Sequence, residues 1–218
     1  MQASLKTGKQ MKEINIDRWN RKEHFSFFKN MAYPVYNISF DIDVTGVKEF
    51  TKRHDISFYL AMIHISILSL NAIDNFRYRL RGEKVVLHES LTPSFAEMEN
   101  DSGLFKMVTV PFEEDILLFE KKAREKADSQ SQYFVISDFA DRDDFAFFSA
   151  VPWISFTSID HTSNLNGKDA VPRISWGKYY ISGSRLLMPY NIQVNHMFVD
   201  GFHLGLFKEQ LDNNIKAL

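Results

Sequence analysis

Apolar and polar residues alternate through Tyr36, Ile38, Phe40 and Ile42, which predicts a half-buried strand. Val44 to Arg53 follows as a short helix candidate. From Ser57, a good N-cap, to about Asn71, nearly every position is apolar, and a helix apolar all round is a buried one. Lys84 to His88, after an Arg81-Gly82 turn, and Phe105 to Val110 read as strands. Ile116, Phe119, Ala123 and Ala127 recur at helical spacing within Glu113 to Ala127, with acids in the first turn and bases later, as the helix dipole favours. Phe145 to Ser158 is a strongly apolar strand candidate. Leu186 to His196 is another, interrupted by Pro189, which predicts a sheet edge or a bulge there. Leu204, Phe207, Leu211 and Ile215 fit one stripe of a final helix. Met1 to Glu13 is polar and Lys-bearing and reads as a flexible lead-in, and no linker or repeat divides residues 14–218, which predicts a single domain. Its fold class is α/β: a two-layer α+β sandwich in which helices cover one large mixed β-sheet.

Composition narrows the functions open to such a domain. The formal net charge of -2 gives no basic face for nucleic acid or an anionic membrane, and Arg21-Lys22 and Lys121-Lys122 read as solvated surface. With no cysteine, disulfides, thiolate nucleophiles and Cys-ligated zinc are excluded. Phe58 to Leu70, the longest apolar stretch, is too short to span a bilayer, and Met1 to Glu13 has no apolar core of a secretory signal. A soluble, cytoplasmic protein is expected. The 20 phenylalanines, with 3 Trp and 8 Tyr, predict an aromatic-rich core or pocket.

The segment with most chemistry is Gln193-Val194-Asn195-His196-Met197-Phe198-Val199-Asp200-Gly201-Phe202-His203. A strand ends near His196 and a helix starts near Asp200-Gly201, so the imidazole at the junction can project into a cleft. Asp200 can fix the loop by pairing with a cation, and Gly201 permits backbone shapes other residues resist. A lone histidine is more often structural. A continuous helix would instead put His196, Asp200 and His203 on one face as metal ligands, against which Gly201 and the β-branched, aromatic lead-in both argue.

These residues resemble the QVHHxxxDGFH active-site motif of the chloramphenicol acetyltransferases, matching at Gln193-Val194, His196 and Asp200-Gly201-Phe202-His203. Trp19-Asn20-Arg21-Lys22-Glu23-His24-Phe25 resembles the family's W-x-R-[KR]-E-H-F. Ser149-Ala150-Val151-Pro152-Trp153-Ile154-Ser155-Phe156-Thr157-Ser158 resembles its SAxPWxSFTSF, and Gly177-Lys178-Tyr179 and Leu187-Met188-Pro189 follow in order. The resemblance runs from about Ile16 to Leu211, whereas HxxxDG alone is shared with the acyltransferase subunits of 2-oxoacid dehydrogenases.

The resemblance implies a CoA-dependent acyltransferase fold and O-acetyl transfer from acetyl-CoA, a cosubstrate, with no tightly bound cofactor and no metal. His196 is implied as the general base on the acceptor hydroxyl, work that suits a neutral imidazole. Ser149 is implied as oxyanion donor, Ser175 as its helper through a bound water, and Asp200 paired with Arg21 as the brace of the His196 loop. Tyr59, Trp153, Lys178 and Tyr179 are implied to bind CoA, and Phe27, Phe28 and His161 the acceptor, with chloramphenicol the leading candidate. Family members are homotrimers with intersubunit sites, so small molecules and further copies of the chain are the implied partners. Asn195 departs from the motif's first His, and His161, Ala32 and Pro34 replace apolar residues of the acceptor pocket. Each apolar group added to or removed from such a pocket shifts discrimination by about 1–3 kcal/mol, so a different hydroxylated acceptor, or a non-catalytic CoA-binding protein, stays open.

Overall fold

A computed structural model describes residues 11–99, 102–162 and 167–218. Its elements in chain order are β1 (Met11–Ile14), α1 (Lys22–Lys29), β2 (Val35–Asp43), α2 (Thr45–His54), α3 (Phe58–Asn71), β3 (Tyr78–Arg81) and β4 (Lys84–His88). There follow β5 (Thr92–Met98), β6 (Phe105–Thr109), α4 (Ile116–Ser129), β7 (Phe145–Val151), β8 (Arg173–Gly177), β9 (Tyr180–Ser182), β10 (Arg185–Asn195) and α5 (Gly201–Lys216). Helix α3 is the apolar run: the Ser57 hydroxyl accepts the Leu60 amide at 3.3 Å, and ten of its residues are buried. Its serines are bonded internally, with Ser66 Oγ on the Met62 carbonyl, Ser69 Oγ on the Ile65 carbonyl and Tyr190 Oη donating to Ser66 Oγ at 2.8 Å. His64 is a core histidine, held by the Glu113 and Glu114 carbonyls, and burial lowers its pKa.

The large sheet runs β2-β10-β8-β7-β5-β6, with β9 also on β10. The β5–β7 and β7–β8 pairs are parallel and the others antiparallel, so the sheet is mixed. One face carries Phe95, Phe148, Ile174, Trp176, Tyr190 and Ile192, all buried, and α3 packs against this sheet and against α2, α4 and α5. On the other face Ser149, Ser175, Asn191 and Ser39 stand abreast on β7, β8, β10 and β2. The expected helices-on-sheet arrangement is therefore the observed one. A second, three-stranded sheet β1-β4-β3 was not anticipated.

Several local expectations are corrected. Met11 to Glu13 are not lead-in but part of β1, paired with β4 from Met11 opposite His88; residues 1–10 of that expectation lie outside the described residues. The strand at Phe145 stops at Val151, because Pro152 cannot continue the ladder. The acids at Glu113 and Glu114 precede α4, and Asp115 is its N-cap, accepting the Leu118 amide at 2.7 Å. Pro189 is not on an edge: β10 is internal, between β2 and the β8/β9 side. Its neighbour is bulged instead. Tyr190 pairs with Trp176 and Leu187 with Tyr180, so Met188 and Pro189 face three residues, Gly177 to Tyr179. A missing N–H is harmless where the partner ladder is broken.

Gly177 sits at that break because the chain after β7 crosses directly over it. A Cβ there would lie 2.6 Å from the Ile154 carbonyl oxygen and 3.0 Å from Phe156 Cδ1. Gly177→Ala is expected to destabilise by about 1–3 kcal/mol through overpacking, read as a lower urea midpoint with an unchanged slope.

Candidate active site

His196 lies where β10 ends, with its amide donating to the Pro34 carbonyl at 2.7 Å. Its ring stacks on Phe28 of α1, centroids 4.0 Å apart and planes 7° off parallel, and tilts against Tyr36 of β2 at 4.7 Å. The side chain is 34% exposed, so the ring is gripped on its faces and open at an edge. Nδ1 is buried and lies 3.0 Å from Asp200 Oδ1, yet it makes no hydrogen bond. Alignment outweighs proximity here: Asp200 acts on the ring as a nearby charge and not as a hydrogen-bond acceptor.

The loop after His196 is clamped by one guanidinium. Arg21, buried at 8% exposure, meets Asp200 through two parallel bonds, Nη1–Oδ2 at 2.5 Å and Nη2–Oδ1 at 2.6 Å. Its Nε also donates to the Met197 carbonyl at 2.8 Å, and its Nη2 to the His196 carbonyl at 3.0 Å. The planar fork of arginine is what allows both tasks at once. The Arg21 hydrogen bond holds the Asp200 carboxyl below the usual range. Asp200 donates its amide to His203 Nδ1 at 3.0 Å, and burial, then Arg21, pull the His203 pKa down. With both Asp200 oxygens on Arg21 and His203 Nδ1 accepting a backbone proton, the donor set is turned inward, unlike that of a metal site. The Tyr36 hydroxyl donates to the Val199 carbonyl at 3.3 Å, and burial pushes its pKa up to about 12, so it is a neutral phenol.

Asn195 locks the turn from the other side. Its Nδ2 donates to the Gly167 and Asp169 carbonyls at 3.1 and 2.9 Å, and its Oδ1 accepts the Met197 amide at 2.9 Å. An amide supplies two donors and an acceptor here, and all are used.

A cavity of about 910 Å³ opens elsewhere on the chain, lined by Ser149, Tyr59, Trp153, His161, Lys178 and Tyr179 among others. It thus gathers all four residues expected to hold CoA, with Ser149 and His161. Trp153 is 67% exposed at its rim. Tyr59 is part of the wall, but its hydroxyl donates to the Ala96 carbonyl at 2.7 Å, and burial raises its pKa well above the ordinary value. Tyr179 packs edge-on to Phe58, with the Lys48 ammonium 5.7 Å from its ring centroid. Ser175 is buried beside Ser149 on the adjacent strand, not on the cavity wall.

His196, Phe27 and Phe28 do not line this cavity. The expected acceptor residues are therefore split within one chain. Phe28 stacks on His196 with Phe27, 65% exposed, edge-on to Phe28, while His161 lines the same cavity as Ser149.

The family model for chloramphenicol acetyltransferase matches residues 9–212. The chain belongs to the chloramphenicol acetyltransferase family. It is 31% identical over 199 residues to a chloramphenicol acetyltransferase of Escherichia coli, covering 91% of this chain and 90% of that protein. It is similar in structure to a solved chloramphenicol acetyltransferase, with 28% identity and a TM-score of 0.88, covering 94% of this chain and all of the other. The dihydrolipoamide acetyltransferase of Azotobacter vinelandii has the same fold at 15% identity and a TM-score of 0.64, covering 88% of this chain and 85% of that one. Members of this family are acyltransferases, and so is this chain.

Part of the cavity wall is not legible in the sequence. Arg173 lines the cavity and was not singled out, although a charged residue inside Pro172-Arg173-Ile174-Ser175-Trp176 breaks an otherwise apolar and hydroxylic strand. The aromatic walls Phe105, Phe134 and Phe147 were visible only as an excess of phenylalanine, with nothing local to bring them together.

Proposed function

We propose that this chain transfers acetyl from acetyl-CoA to a hydroxyl of chloramphenicol, with His196 as the general base. The observation that carries this reading is the His196 ring itself: face-gripped by Phe28 and Tyr36, open at an edge, and mounted on backbone carbonyls that Arg21 holds. A base so fixed loses little freedom when it reacts.

Nε2 takes the proton of the acceptor hydroxyl as its oxygen bonds to the thioester carbonyl carbon. Ser149 Oγ donates to the oxyanion that forms, with Ser175 assisting through a water. Collapse breaks the C–S bond, and the leaving thiolate takes the proton back from Nε2. Tyr59, Trp153, Lys178 and Tyr179 bind CoA. Asp200 and Arg21 are positioning residues, and touch no reacting atom.

His196 and the Ser149 cavity do not meet in one chain, and this supports a site completed by a second copy, in a homotrimer. Phe27 and Phe28 of one protomer then face His161 of its neighbour around the acceptor. No helix among the described residues is long and apolar enough to cross a membrane, which accords with a cytoplasmic enzyme.

The test is release of CoA thiol from acetyl-CoA in the presence of chloramphenicol. Release is expected to require both substrates. A second reading, transfer to another hydroxylated acceptor, is favoured by the polar pair His161 and Arg173 in the cavity wall. Release only with other alcohols in a panel selects that reading. No release with any of them overturns both.

A further inference from the structure

The wall of the cavity that holds Ser149 is uneven in chemistry. Phe105, Phe134, Phe139, Phe147, Met98 and Met107 line it with apolar surface, while His161 adds a polar group bonded to Asn191 of β10, two strands from Ser149 of β7. His161 is not simply a polar residue of unknown state, because a chain of hydrogen bonds across three elements fixes which of its nitrogens carries the proton.

That chain starts at Asp160, whose carboxylate can only accept. Asn37 Nδ2 donates to Asp160 Oδ1, which leaves Asn37 Oδ1 as an acceptor. Asn191 Nδ2 donates to that oxygen at 3.2 Å and to Ser39 Oγ at 2.9 Å. Asn191 is fully buried, and its Oδ1 is thereby left to accept. It lies 3.0 Å from His161 Nε2, so Nε2 bears the hydrogen. Nδ1 is then a bare lone pair on a residue lining the cavity. Burial, the larger cause, and then Arg173 lower the His161 pKa, which keeps the ring neutral and Nδ1 an acceptor.

We propose that His161 is a specificity residue, whose Nδ1 accepts a hydrogen bond from an O–H or N–H of the acceptor other than the hydroxyl that reacts. The acceptor class is accordingly an aromatic or otherwise apolar body bearing a second hydrogen-bond donor. This deepens the proposed function and rests on it, since it assumes that the Ser149 cavity receives the acceptor. A cavity residue with an unfilled lone pair rejects a ligand that lacks the matching donor, because its own solvation is lost without replacement.

Calorimetric binding of chloramphenicol, its deoxy analogue and its N-methyl amide analogue tests this, each analogue lacking one donor. For the native chain, one analogue is expected to bind about tenfold more weakly than chloramphenicol. His161→Leu should bring that ratio within twofold, while His161→Gln, which keeps an acceptor, should retain part of it. Asn191→Asp offers a second reading of the same point. A carboxylate at that position favours a doubly protonated imidazole, so Nδ1 becomes a donor and the preference should vanish with the imidazole still present. Equal binding of all three probes to the native chain, binding of none, or a ratio unmoved by His161→Leu overturns the proposal. Thiol release measured on the same samples reports the acyl transfer separately: turnover without discrimination leaves the enzyme and removes the role of His161.

Discussion

His196→Ala is expected to lower thiol release by roughly 10²–10⁴-fold, the range a positioned general base supplies. The loss should fall on kcat, with the KM for acetyl-CoA little changed, because Tyr59, Trp153, Lys178 and Tyr179, the residues proposed to bind CoA, are all left in place. The protein should stay folded. Its Phe28 stacking partner is lost, which costs about 1 kcal/mol, but the His196 amide still donates to the Pro34 carbonyl and its carbonyl still accepts from Arg21. Circular dichroism and a urea midpoint establish that control. His196→Gln, with a polar group but no base near neutral pH, should be as inactive as His196→Ala. Turnover within tenfold of the native chain in either variant would sink the assignment of the base, and with it the proposed mechanism.

The elements read best from the sequence are those whose burial follows from their own spacing. Helix α3 was legible because Ser57 caps it and its whole surface is apolar. Helix α5 was legible because Leu204, Phe207, Leu211 and Ile215 form one stripe, and all four are buried. Helix α1 was not, since its one buried residue, Phe25, sets no period. Strands β1 and β3 have four residues each, too few to show an alternation, and they owe their existence to pairing with β4.

The site divides along the same line. His196, Asp200 and Gly201 are neighbours in sequence, so spacing announced a junction there. Arg21 lies 179 residues from Asp200, and only the joint resemblance of two motifs linked them; the geometry bears out the pair. His161 tells the opposite story. Its resemblance put it beside Phe27 and Phe28, but its surroundings are set by strand register, which brings Ser39 of β2 opposite Asn191 of β10. No spacing along one strand encodes that neighbourhood, and so the state of the imidazole could not be read from the chain.

Breaking the Arg21–Asp200 pair is the second large effect. Arg21→Met keeps an apolar stem of similar length but leaves the Asp200 carboxylate with no cation and two carbonyls, of His196 and Met197, with no donor. Removing one partner of a buried pair costs about 3–5 kcal/mol, and the lower end applies because Asp200 keeps 27% of its side chain in water. Arg21→Lys should cost less and still lose activity, since an ammonium cannot hold a carboxylate bidentately and reach both carbonyls. A looser loop misplaces His196, so kcat should fall about 100-fold in Arg21→Met while KM holds. The pH dependence separates an ion pair from mere packing. Folding depresses the Asp200 pKa, chiefly through the Arg21 hydrogen bond. Its stabilising contribution is therefore complete above the ordinary aspartate value of 3.8 and fades as pH falls below it toward the lower folded value. The stability gap between the native chain and Arg21→Met, from urea unfolding, should be wide at pH 7 and narrower at pH 3. A gap that stays constant between those pH values would mean that Arg21 acts through packing alone, and that the charge on Asp200 does not hold the His196 loop.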